Sequence, residues 1–109
     1  MVWKVEFFQS KRGDYPVADF IGNQERRVRQ KVTDSIKMLE ESGPFLMPPY
    51  MKKLFPNLYE LRIKSKVAVR IFYSPKTGTY YLLHAFIKKS QKTPERELKI
   101  ALDRMNELI

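Results

Sequence analysis

LYELRIKSKVAVRIFY, residues 58–73, decides the fold. In its first half Tyr59, Leu61 and Ile63 alternate with Glu60 and Arg62; in its second, Val67, Val69, Ile71 and Tyr73 alternate with Ala68, Arg70 and Phe72. Alternation with period two marks a strand that buries one face. The polar connector Lys64-Ser65-Lys66 suits a hairpin, so antiparallel strands are expected at 58–63 and 67–73. Matching their apolar faces puts Arg62 and Arg70 on one side of the sheet. Pairing Ile63 with Val67 sets Arg62 opposite Ala68, and a two-residue slip sets it opposite Arg70. Like charges at neighbouring strand positions repel. Either a carboxylate such as Glu60 sits between them, or the pair is kept to bind a phosphate.

Downstream, YYLLHAFI at 80–87 is nearly all apolar, as expected for an interior strand covered on both faces. Residues 74–79 form the preceding turn and close with either parity, so His84 faces either side. It is either a core residue or, at an ordinary histidine pKa, a proton relay. Phe86 is either core or a platform for base stacking. Lys88, Lys89 and Lys92 then crowd a short segment before Thr93-Pro94. Beyond it Leu98, Ala101 or Leu102, Met105 and Leu108 recur at helical spacing. Thr93 is expected as N-cap, with Glu95 and Glu97 at the positive helix end.

Upstream, VWKVEFF at 2–8 sets Trp3, Val5 and Phe7 on one strand face and Lys4 and Glu6 on the other. Pro16 opens a short helix ending near Gly22. Asn23 is expected to cap a longer helix with an apolar stripe of Val28, Val32, Ile36 and Leu39, ended by Gly43-Pro44. Its basic face is read as solvated. Residues 44–57 hold Pro44, Pro48, Pro49 and Pro56 and are expected to be a loop displaying Lys52 and Lys53. The order is β-α-α-β-β-β-α: an α+β fold with a small, mainly antiparallel sheet packed by helices, in one domain over 1–109.

With 43% hydrophobic and 30% charged residues, the 109-residue chain has the balance of a globular domain. It lacks cysteine and has one histidine, which excludes disulfides and thiolate metal sites, so no metal or cofactor is expected. No run is long and apolar enough to span a bilayer, and a cytoplasmic protein without membrane association is expected. The formal charge of +9 favours a polyanion such as RNA or DNA; the bland alternatives are solubility and an acidic protein partner.

MKKL at 51–54, LYELRI at 58–63, VAVRIFY at 67–73 and LLHAFIKKSQKTPERELKIALDR at 82–104 together resemble the RelE/ParE toxin superfamily, in its HigB-like, phage-derived branch. The resemblance covers nearly the whole chain, and Phe86 to Pro94 is its most specific part. It implies a RelE-like fold and the toxin of a type II toxin-antitoxin system: a metal-independent endoribonuclease that cleaves mRNA on the ribosome and so inhibits translation. The implied partners are mRNA, the ribosome and an antitoxin from an adjacent gene, of helix-turn-helix type, with operator DNA met only through the antitoxin complex. Alternatives are a ParE-like gyrase inhibitor, or a decayed toxin retaining antitoxin or operator binding. By the same resemblance Arg62, Arg70 and Lys53 are the catalytic positions. Lys52, Lys88, Lys89 and Lys92 contact RNA, and His84 is the candidate relay. Some relatives carry a C-terminal tyrosine or an Asp-Tyr-His-type ending for proton transfer; KKSQKTP stands there instead, so the resemblance supplies no general base.

Overall fold

A computed structural model describes residues 2–108. The elements are β1 (Lys4–Phe7), α1 (Pro16–Gly22), α2 (Arg26–Ser42), a 3-10 turn (Gly43–Phe45), β2 (Met51–Phe55), β3 (Leu58–Lys64), β4 (Ala68–Lys76), β5 (Thr79–Ile87) and α3 (Glu95–Glu107). The five strands form one sheet in the order β1-β5-β4-β3-β2, antiparallel except that β1 runs parallel to β5. The expected α+β class holds, and the sheet carries helices on both faces. Val17 of α1 and Val28, Val32 and Leu39 of α2 share a core with Leu61, Ile63, Val69, Ile71, Tyr73, Leu82 and Ala85. Ala101 of α3, with Leu98, Leu102 and Met105, packs with Phe8, Leu58, Phe72, Leu83 and Phe86 on the other. No helix among the described residues is long and apolar enough to cross a membrane.

The hairpin takes the slipped register: Ile63 pairs with Val69, Lys64 with Ala68, and Arg62 directly with Arg70. β4 and β5 extend beyond the expected strands to meet at a two-residue turn, Thr77-Gly78, with φ of 49° and 76°. Two successive positive φ values give the type I′ turn that fits the twist of a hairpin. Halfway along, the pairing jumps from Tyr73 with Leu82 to Phe72 with His84, leaving Leu83 as an extra residue. A bulge of this kind reverses side-chain parity beyond it. Leu83 and His84 therefore both face α3, and Phe86 joins the row of Arg62 and Arg70.

Several expectations are corrected. Residues 51–55 are not loop but a fifth strand, β2, pairing with β3 from Met51 opposite Leu61 to Phe55 opposite Leu58. Prolines flank MKKLF without entering it, and an edge strand needs only one hydrogen-bonded ladder. Asn23 does not cap α2: its N–H bonds back to Asp19 and Phe20, closing α1, and Glu25 takes the N-cap position without a side-chain bond. Thr93 likewise gives way to Pro94, whose own backbone is extended at φ −61° and ψ 137°, so the helix starts one residue later. At the N-terminus Phe7 stays exposed, and Phe8 takes the buried place beside α3. Gly43 ends α2 at φ 50°, where a Cβ would run into the Trp3 indole.

Candidate anion-binding face

Direct pairing of Arg62 and Arg70 would place two guanidinium groups side by side, and Glu60 resolves the repulsion. Its side chain is 1% exposed, two positions before Arg62 on the same face. Arg62 Nε donates to Glu60 Oε1 at 3.0 Å, and Arg70 Nε lies 3.9 Å from the same oxygen. Arg70 Nη1 also donates to the Val69 carbonyl at 3.1 Å. Burial lowers the Arg70 pKa, Glu60 opposes that, and Arg62 adds to it; a guanidinium nevertheless remains charged. One carboxylate against two guanidiniums leaves a net positive charge. Glu60 Oε2 and Arg70 Nε are buried without a hydrogen-bond partner, and such groups are costly in a finished structure.

Cations flank the pair. Lys64 follows Arg62 by two residues on β3, opposite Ala68. The Lys88 N–H donates to the Ala68 carbonyl at 2.8 Å, extending the β5 ladder by one residue. Alternation thus places Lys64, Arg62, Arg70 and Lys88 at neighbouring positions of one face. Lys52 pairs with Glu60 and shares that face at the sheet edge. Lys53 pairs with Tyr59 and so belongs to the opposite face, apart from the arginines with which it was grouped. Lys89 lines a separate cleft with Phe20, Ala85 and Pro94, and Lys92 is exposed in the loop before α3. α3 packs over β5 and β4 on this face, and α2 meets β3 from the opposite face.

His84 lies on the same face, under α3. Its Nε2 is 2.7 Å from Glu97 Oε1, and its Nδ1 is 3.2 Å from Arg104 Nη1, which also donates to the Leu83 carbonyl. Arginine can only donate, so Nδ1 must accept and the ring proton must sit on Nε2, facing the Glu97 carboxylate. Both nitrogens are occupied in the neutral tautomer. Burial lowers the His84 pKa, against the opposing hydrogen bond and charge of Glu97, and Arg104 lowers it further. Phe86 fills the α3-side core and stacks on the His84 ring at 5.9 Å between centroids, so it is packed and not an open platform. Sequence reasoning missed Lys64, Glu97 and Arg104. Lys64 was hidden in a connector, and only the bulge at Leu83 brings His84 to α3.

A cleft of about 460 Å³ opens beside the pair, lined by Arg62, Arg70 and Lys64 together with side chains of α2 and the segment before β2. Among the described residues no group of three His, Cys, Asp or Glu side chains comes together to hold a metal ion. The geometry offers guanidinium and ammonium groups for an anion, without a free imidazole beside them.

No curated protein matches the chain. Residues 19–106 match the family described as Phage derived protein Gp49-like (DUF891), a span from α1 through α3 that includes the whole Glu60-Arg62-Arg70 arrangement. The match agrees with a RelE-like fold and with the toxin of a toxin-antitoxin system. On that span the chain belongs to the Gp49-like phage-derived family, a RelE-like toxin family.

Proposed function

We propose that the chain is the toxin of a HigB-like type II pair and an endoribonuclease that cleaves mRNA on the translating ribosome. The observation that carries this reading is the direct pairing of Arg62 with Arg70 beside a buried, half-satisfied Glu60, with Lys64 and Lys88 at adjoining positions. In cleavage by internal attack, the ribose 2′-oxygen forms a bond to phosphorus as the bond to the 5′-oxygen breaks. The products are a 2′,3′-cyclic phosphate and a 5′-hydroxyl. Negative charge grows on the phosphoryl oxygens, where preorganised donors count most.

Arg62 and Arg70 hold those oxygens, with Glu60 fixing the direction of their Nε groups. Lys88 and Lys64 bind flanking phosphates. Lys52, at the sheet edge on this face, takes the role that the resemblance gave to Lys53. Lys89 and Lys92 meet RNA farther out. His84, closed by Glu97 and Arg104, holds α3 against the sheet. Because phosphate contacts dominate, binding weakens steeply with salt. The partner is an antitoxin encoded next to the toxin, through which operator DNA is reached.

The test is a purified translation system: added protein should shorten a translated message at sites within codons, with an untranslated copy left intact. An intact message together with inhibited DNA gyrase would replace the nuclease reading with the ParE-like one.

A further inference from the structure

We infer that the cleft at the free edge of β3 is a base subsite that takes one RNA nucleotide and favours guanine. The inference rests on the RNA-cleaving reading for its phosphate end and adds the identity of the neighbouring base. β2 pairs with β3 only as far as Leu61, so beyond that residue the β3 edge lacks a strand partner. There the cleft of about 460 Å³ lies between β3, α2 and the segment Pro49-Tyr50, a size within the range of small-molecule sites.

Its lining combines cationic and apolar side chains. Arg62 and Arg70 line it, so a phosphate held by them leaves its nucleoside within reach of the cleft. Met38, Pro49, Tyr50 and Ile63 supply apolar surface. Tyr50 is 51% exposed, and its carbonyl accepts from the Arg62 N–H at 2.9 Å, which fixes the aromatic residue beside the phosphate site. A half-exposed tyrosine ring can stack on a base, and stacking of this kind is tolerant of base identity.

Selectivity comes from Asp34, which lines the cleft from α2. Its Oδ1 accepts from Gln30 Nε2 at 3.0 Å, and among the described residues it has no ion pair despite four cationic side chains around the same cleft. A carboxylate repels an anionic ligand unless it meets N–H donors. Guanine alone offers two adjacent donors, N1–H and the 2-amino group, matching a carboxylate edge. Uracil offers one donor between acceptors, and adenine and cytosine offer one beside an acceptor.

The experiment is titration of the ¹⁵N-labelled full chain with 5′-GMP, AMP, CMP and UMP. GMP should move the amide resonances of Asp34, Met38 and Tyr50 and bind about fivefold or more tightly than UMP, the low end for a bidentate base contact. Asp34→Asn should remove the preference while retaining binding, and Tyr50→Ala should weaken all four nucleotides. Equal affinity for the four in the parent chain, or perturbations confined to other surfaces, would overturn the subsite. The readout needs no turnover: guanine-selective binding without RNA cleavage would sink the nuclease reading alone, and cleavage with no such selectivity would sink the subsite alone.

Discussion

Two polar clusters share one face of the sheet and have opposite character. Under α3, His84, Glu97 and Arg104 satisfy one another, and both imidazole nitrogens are occupied. Toward β3, which α3 does not cover on this face, Glu60 and Arg70 each retain an atom without a partner, and Lys64, Lys52 and Lys88 occupy adjoining positions. A closed network gives up its chemistry to hold two elements together, whereas an unfinished one has capacity for a ligand. His84, which the sequence leaves as either core residue or proton relay, is therefore a fastening, and Arg62 and Arg70 form the face on which the proposed chemistry rests.

The largest expected effect separates the clusters by activity. Arg70→Ala should lower cleavage by about 10² or more while the protein stays folded, the usual loss for one transition-state donor. Measuring message cleavage alongside circular dichroism checks this. His84→Ala should do the reverse, lowering the urea midpoint by an amount equivalent to about 1–3 kcal/mol through unsatisfied Glu97 and Arg104, with cleavage per folded molecule nearly unchanged. Equal damage to activity by both variants would erase the distinction.

A smaller effect follows from pH. The folded pKa of His84 lies below its ordinary value, so the unfolded chain binds the proton more readily. The stability contributed by neutral His84 is fully present above about pH 6.5, the unfolded value, and is lost as pH falls from there through the folded value. The chain has one histidine, so between about pH 5 and 6.5 the slope of urea stability against pH belongs chiefly to this residue, and His84→Gln should flatten it. Smallest is the contrast between lysines. Lys88→Ala should weaken RNA binding and reduce its salt slope by about one phosphate contact, with Lys53→Ala changing each less. The reverse order in a salt titration would move the binding surface to the other side of the sheet.

Much of the fold was legible because its signals are local. Strand alternation through 58–73, the stripe Val28-Val32-Ile36-Leu39 and the apolar run 80–87 each state a period and a buried face. β2 was not legible, since an edge strand between prolines carries little burial. The helix starts were displaced where Asn23 closed α1 instead of capping α2 and where Pro94 stayed extended. For the site, the shared face of Arg62 and Arg70 followed from parity and matched apolar faces, and their repulsion left either Glu60 or a bound phosphate to offset it. Their direct pairing depended on loop length, which fixes register only in three dimensions. The side taken by His84 depended on one extra residue at Leu83, a bulge that no alternation pattern within an all-apolar strand can reveal.

The most direct measurement is mapping of transcript 5′ ends in cells expressing the parent chain or Arg70→Ala at matched protein levels. The expected result is a set of new ends within translated codons in the parent and their near absence in the variant. The same ends in both, or growth arrest with intact transcripts in the parent, would contradict a nuclease centred on Arg62 and Arg70.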